Sequence, residues 1–398
     1  MISIAKAHQN NINEITEANL QILKNLDFKP SKDQIIIKPN LVDAVPPDNP
    51  TITHPHVVEG LVLALHILFG NTLNEYIIAE NSGYFSFKPE HFDRLMKISG
   101  YTAMIERLTK KGLNIKPINL EFEDLIEKKW KHGIVKLPAL CKTHSYINVP
   151  KMKTHMMTGV TLSLKNQKGL LLLGDKKKFH LGYNGSSNLH DCILEFGSVI
   201  QPELTIVDAT TALEGTGPAM IPNGQTATRE LNLLIGGTSM VEVDNACCKI
   251  MGISASEINH IPESEINVAK NSLPIAPAFP PFKKPDPYIK IGNVLQYCSS
   301  WGCTNCQMAF SRMVRKSMLD EKIKEKFIEL NNKYEEILFY IGKQEAGYLN
   351  DEDKDKPKIY FGTCTHRAAK EEPGGLYVKG CPADHNKGIE TLIKLLER

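Results

Sequence analysis

The chain has 398 residues, with 47 Lys and Arg against 45 Asp and Glu, a formal net charge of +2. That balance gives no global reason to expect nucleic acid or an anionic membrane as partner. Hydrophobic residues make up 42%, enough for a buried core, and the length fits one large domain with a smaller one. The opening MISIAKAHQN carries no apolar signal core, and no stretch reaches the ~18–20 apolar residues of a membrane span. A cytoplasmic protein is expected.

Residues 1–262 read as strands alternating with helices. A strand is predicted near residues 2–7 and a helix near 11–26. The segment DQIIIK at 33–38 contains a continuous β-branched run, the mark of a strand covered on both faces, and it ends at Pro39-Asn40. A helix follows from Pro55, where a missing N–H costs nothing. His66 falls in its apolar run and reads as a core histidine. Strands are predicted again at 76–79, 146–149, 204–207 and 231–235, with helices at 189–200 and 240–251. The class is α/β, a mainly parallel sheet flanked by helices, in which ligands bind beyond the C-terminal strand ends.

The densest polar run begins at such an end. Lys151, Lys153 and His155 alternate, so an extended chain puts them on one face. Thr161, Lys165 and Lys168 share a face if 158–168 is helical. Two sets of cations would then converge, which suits a phosphate or carboxylate on a small anionic ligand. The same spacing also fits a solvated basic loop. Lys38, Asn40 and Glu80 close two other strands. Asp208 ends the run LTIVDA, and a glycine-containing loop with Glu214 is expected after it. Both carboxylates suit acid/base work, the holding of a cation, or capping of a turn. The lysines at 176–178 are expected on a mobile loop between Gly174 and Gly182. His54, His56 and His190 carry a weaker signal. Neither a P-loop nor a dinucleotide fingerprint is present.

Prolines 274, 277, 280, 281, 285 and 287 punctuate a connector at 263–290. Residues 291–398 form the smaller, cysteine-rich α/β domain. Of nine cysteines, five lie after residue 297. Cys298, Cys303 and Cys306 have the spacing C-x4-C-x2-C, after which a charged helix is predicted over 308–344. Cys364 and Cys381 each follow a short predicted strand, at 358–361 and 376–378. Parallel neighbouring strands would bring these two together. Four thiolates from two segments fit an iron–sulfur cluster or zinc. The predicted ligands are Cys303, Cys306, Cys364 and Cys381, with Cys298 a fifth candidate, and a site without metal stays open.

Residues 35–42 (IIIKPNLV), 148–170 (NVPKMKTHMMTGVTLSLKNQKGL), 206–218 (IVDATTALEGTGP) and 378–382 (VKGCP) resemble the family catalogued as domain of unknown function 362. Its members are often labelled iron–sulfur cluster-binding proteins. The resemblance implies an α/β large domain, distantly similar to the N-terminal domain of nickel-dependent lactate racemases. It carries over onto Lys38, Asn40, Lys151, Lys153, His155, Lys165, Asn166, Lys168 and Asp208. The bacterial ferredoxin insert found in many members is missing. The resulting expectation is a redox or cluster-dependent enzyme on a small anionic substrate, with His155, Asp208 and Glu214 handling protons. The alternatives are an iron–sulfur carrier that docks a redox protein, and a transferase or ligase with structural zinc.

Overall fold

The isoleucine run at 35–37 forms the middle of β2 (Gln34–Pro39) and is sealed on both faces. Ile35 and Ile37 pack toward one layer of helices and Ile36 toward the other, as a pleated strand requires. The structure, a computed structural model, describes residues 1–81, 89–181, 189–220, 225–285, 288–298, 306, 309–310, 313, 316–317, 320–342, 351–372, 374–381 and 383–398. The chain divides into two units, Met1–Pro285 and Asp286–Arg398.

In the first unit β2 is joined by β1 (Ile2–Lys6), β3 (Glu75–Glu80), β4 (Ile115–Asn119), β7 (Ser145–Val149), β10 (Leu204–Gly215) and β11 (Thr226–Gly237). The sheet order is β1-β11-β10-β7-β2-β3-β4. From β10 to β4 all neighbours run parallel, while β11 is antiparallel to both β1 and β10. A separate hairpin consists of β5 (Leu125–Trp130) and β6 (Gly133–Pro138). After Pro150 the β7 chain resumes as β8 (Lys151–His155), which also lies parallel to β10, and β9 (Gly159–Thr161) folds back on β8. Pro150 has no N–H to give, and its carbonyl accepts the Asp208 N–H at 2.9 Å.

Helices α1 (Ile12–Asn25) and α2 (Pro55–Phe69), with α3 (Pro89–Ile98) and α4 (Tyr101–Lys110), cover one face of this sheet. Behind the other lie α5 (Leu140–Thr143), α6 (Ser163–Asn166), α7 (Leu173–Leu181), α8 (Leu189–Phe196) and α9 (Met240–Met251). Side chains set the ends: Asn11 accepts the Glu14 N–H before α1, and Ser239 accepts the Glu242 N–H before α9. Residues 267–273 run along β1, where the Ile2 N–H meets the Asn267 carbonyl and the Leu273 N–H meets the Ile4 carbonyl, and Ala278 and Phe282 then donate to the end of α9. Among the described residues, no helix is long and apolar enough to cross a membrane.

Four local expectations need correction. The strand through Asp208 does not end there but continues to Gly215, past a bulge at Ala209/Thr211, with the β-branched Thr210 and Thr211 favouring extended chain. Lys176 lies on α7, not on a loop, with Leu173, Lys176 and Phe179 on its buried side. His66 is exposed despite its apolar surroundings in the sequence. The charged stretch after residue 308 is not one helix. It contains a helix at Glu321–Lys333 and then a fully buried strand, β14 (Ile337–Ile341).

In the second unit β14 lies between β13 (Val294–Cys298) and β15 (Lys358–Phe361), with β12 (Tyr288–Ile291) and β16 (Leu376–Val378) at the edges. From β13 to β16 every pair is parallel, and Cys298, Ile341, Phe361 and Val378 share one register line. Phe310, Phe339 and Phe361 form part of the core beneath the helix at His385–Ile393.

Candidate functional site

Parallel strands bring their C-terminal ends to one edge, and in the first unit those ends carry lysines. Lys38, at the end of β2, sends its Nζ to Glu80 Oε2 at the end of β3, 2.8 Å away. Lys151 opens β8 opposite Asp208 of β10, and its Nζ lies 2.8 Å from Oδ2. All four side chains are sealed from solvent. Gly169 lies over the first pair, where a Cβ would meet Lys38 Nζ at 2.2 Å. No larger residue fits there without moving that ammonium.

Amides link the strands between these pairs. Asn40 donates to Asn166 Oδ1 (2.9 Å), and Asn166 donates to Asn148 Oδ1 (2.8 Å). Asn148 in turn donates to the Ser163 carbonyl. The α6 N-terminus is held by Asp244, whose two oxygens accept the Ser163 and Leu164 N–H groups. Burial pushes the Asp244 carboxyl up to about 7, against the lowering effect of those two bonds. Asn40 Oδ1 is buried and accepts no hydrogen bond.

Three more lysines, Lys153, Lys165 and Lys176, have no hydrogen-bonded carboxylate among the described residues. Lys153 is buried with its Nζ on the Thr51 carbonyl, 2.5 Å away. Burial pulls it well below the usual lysine range, and Lys165 and Lys151 push in the same direction. Lys165, partly exposed, donates to Thr161 Oγ1 at 3.0 Å and is brought down to about 7 by desolvation. Lys176, buried on α7, is brought down to about 8, again chiefly by desolvation. Lys168 is lowered by burial and then by Lys165 and Lys176. Amines that lower one another in this way repel when charged, and a bound anion removes that cost.

The carboxylates take different parts. Burial alone would raise Asp208, but Lys151 and the His54 N–H outweigh it and hold the carboxyl below its ordinary value. Thr210 adds a hydroxyl bond of 2.6 Å to Oδ1. Asp208 is therefore ionised and fully engaged. Glu214 stands six residues further along β10, roughly 20 Å at strand rise. There it accepts the Lys283 N–H and pairs with Arg229. His155 closes β8 with Nδ1 accepting the Met157 N–H at 3.1 Å, which puts the proton of the neutral ring on Nε2.

The structure thus gathers Lys38, Asn40, Lys151, Lys153, Lys165, Asn166, Lys168 and Asp208 into one electrostatically connected region. It leaves Glu214 apart. Sequence reasoning passed over Asp244, whose place in α9 looks like any helix carboxylate, and undervalued Lys176 and His54. His54 caps α2 with Nδ1, gives its main-chain N–H to Asp208, and is lowered by burial to about 4, so it is neutral at pH 7. His190 and His260 meet with Nδ1 atoms 2.9 Å apart, both lowered first by burial and also by Lys165.

In the second unit, Cys298 ends β13, though its side chain and all of Cys303 lie outside the described residues. Cys306 is buried beside Gly362, where a Cβ would come within 2.8 Å of its Sγ. Cys364 and Cys381 are exposed, just past β15 and β16. The two loops are tied by the Gly362 N–H to the Val378 carbonyl and the Thr363 N–H to the Gly380 carbonyl. Among the described residues, no three His, Cys, Asp or Glu side chains gather closely enough to hold a metal ion. The backbone order nevertheless suits thiolate ligands, since these cysteines follow neighbouring strand ends.

Comparison with known proteins adds a family. The model described as "Domain of unknown function (DUF362)" matches residues 35–249, more than half of the 398-residue chain. "Thylakoid-associated protein sll1697" of Synechocystis sp. is 22% identical over 241 residues, 58% of this chain and 67% of that protein. No solved structure matches.

Proposed function

The chain belongs to the DUF362 family, and we propose that its larger unit binds a small carboxylate- or phosphate-bearing compound over the buried lysines. The smaller unit, in this reading, carries an iron–sulfur centre, and the whole is a cytoplasmic redox or cluster-dependent enzyme. The observation that carries the first part is Lys153. Its sealed amine donates to a main-chain carbonyl, burial with Lys165 and Lys151 disfavours its charged form against a weaker pull from Glu80, and no carboxylate is bonded to it among the described residues. An incoming anion would supply counter-charge. Lys38 and Lys151 keep their own carboxylates and would act as fixed struts.

Support for the second part is the cysteine order along the strand ends and the space that Gly362 leaves for Cys306. Cys303, Cys306, Cys364 and Cys381 would be the ligands, with Cys298 a fifth candidate. A bound cluster supplies one-electron transfer, for which a redox protein would be the partner. The competing occupant is zinc, for which the same thiolates would serve as a structural site.

Calorimetric titration with phosphate and with lactate tests the first part, with wild type expected to bind and Lys153→Met to lose at least tenfold in affinity. Undiminished binding in that variant, with its urea midpoint showing a folded protein, sinks it. Anaerobic purification with iron, sulfide and zinc analysis and EPR tests the second. Stoichiometric zinc in a colourless protein replaces the cluster reading.

A further inference from the structure

Lys165 differs from its neighbours in the cluster. Lys38 and Lys151 are tied to carboxylates, and Lys153 is sealed from solvent. Lys165 is partly exposed, and its Nζ bonds to a hydroxyl, Thr161 Oγ1, at 3.0 Å. Thr161 lies directly opposite Lys153 in the β8–β9 register, so the hydroxyl that Lys165 donates to shares a ladder face with Lys153. The His190–His260 pair is near enough for Lys165 to affect both rings. A desolvated amine on a partly exposed residue, beside other lysines and with no carboxylate bonded to it among the described residues, is the arrangement that makes a lysine nucleophilic.

We infer that Lys165 forms an imine with an aldehyde or ketone that also bears a carboxylate or phosphate, the anionic group being held by the surrounding lysines. This rests on the anion-site reading and adds the reactive group of the substrate. The neutral amine attacks the carbonyl carbon, the C–N bond forming as the C=O π pair moves onto oxygen. One amine proton is transferred to that oxygen, giving the carbinolamine. A further proton from solvent lets the oxygen leave as water, and the nitrogen lone pair closes the iminium. No oxidant or reductant is consumed. Desolvation that brings Lys165 to about 7 leaves a large neutral fraction at physiological pH.

The test is borohydride trapping on the full chain with pyruvate and with glycolaldehyde phosphate, read by intact mass and peptide mapping. Acetone serves as a carbonyl without an anionic group, and lactate as an anion without a carbonyl. A single adduct on Lys165 is expected from at least one anionic carbonyl, with acetone labelling at least tenfold slower. The trapping rate should rise with pH around a midpoint near 7, well below that of a solvated lysine. Lys165→Arg, which keeps a cation but has no amine able to lose its proton, should abolish the adduct while its urea midpoint shows a folded protein. Lactate binding without any adduct overturns the imine alone. Adducts spread over surface lysines, mapped to Lys168, or undiminished in Lys165→Arg overturn it as well. If neither lactate nor phosphate binds wild type, the anion-site reading falls and the imine with it.

Discussion

Lys151 and Asp208 face each other on parallel strands, Nζ 2.8 Å from Oδ2, with neither side chain reaching solvent. The same Oδ2 takes the His54 N–H, while Oδ1 takes the Thr210 hydroxyl and N–H. One carboxylate therefore joins β8, β10 and the start of α2. With every one of these bonds favouring its ionised form, Asp208 is a strut for the lysine cluster rather than a proton donor.

Breaking that pair from one side should be costly. Asp208→Asn leaves a buried ammonium without counter-charge, and removal of one partner of such a pair costs about 3–5 kcal/mol. Urea unfolding should show a loss of that order. Lys151→Met/Asp208→Asn should lose less than the sum of the two single variants, since no charge is stranded in it. Additive losses in the cycle would show that the two groups are not coupled.

The lysines give the stability a pH dependence of known sign. A lysine whose folded value is lowered binds fewer protons than in the unfolded chain, so stability rises with pH between the two values. For Lys165 that window runs from about 7 to 10.5, and for Lys176 from about 8 to 10.5. Above 9 the buried Cys141 and Cys248, both raised, pull the other way. Below 7, Asp244 opposes His54 and His260. The clean interval is pH 7 to 9, where the ligand-free urea midpoint should climb. A flat or falling profile would show that the lysines titrate as solvated groups.

Anion binding should reverse that shift. A carboxylate or phosphate beside Lys153, Lys165 and Lys176 favours their charged forms, so binding at pH 8 must take up protons. Calorimetry in buffers of different ionisation enthalpy reads this directly as a dependence of the observed heat on the buffer. Lys165→Met should reduce the uptake, and no buffer dependence would mean that the ligand does not reach these amines.

Much of this site was readable because the chemistry falls on regular elements. Lys151, Lys153 and His155 were placed by strand alternation, and Lys38 by the end of a β-branched run. What escaped lies where pattern is weak. The α7 run LGDKKKFHL has hardly any amphipathic contrast, so a buried Lys176 could not be told from a solvated charge run. β14 is only five residues between charged flanks, too short for its period to stand out. Glu214 looked close to Asp208 because six residues are near in a loop but far apart in an extended strand. Asp244 has no local signature, since its role at α6 is set by a contact 80 residues away.

The cysteine end of the smaller unit can be tested through a glycine. Gly362 has φ +107 and its missing Cβ leaves 2.8 Å to Cys306 Sγ, whereas Gly374 has φ +85 with nothing within 4 Å. A non-glycine residue at positive φ costs about 1–3 kcal/mol wherever it stands. Gly362→Ala and Gly374→Ala should therefore both lower stability in urea. Only Gly362→Ala pushes on a proposed ligand, so only it should also lower iron and sulfide content, in line with Cys306→Ser, Cys364→Ser and Cys381→Ser and unlike Cys141→Ser. Equal iron content in the two glycine variants would mean that Cys306 is a core thiol. The centre would then have to be built from the other cysteines.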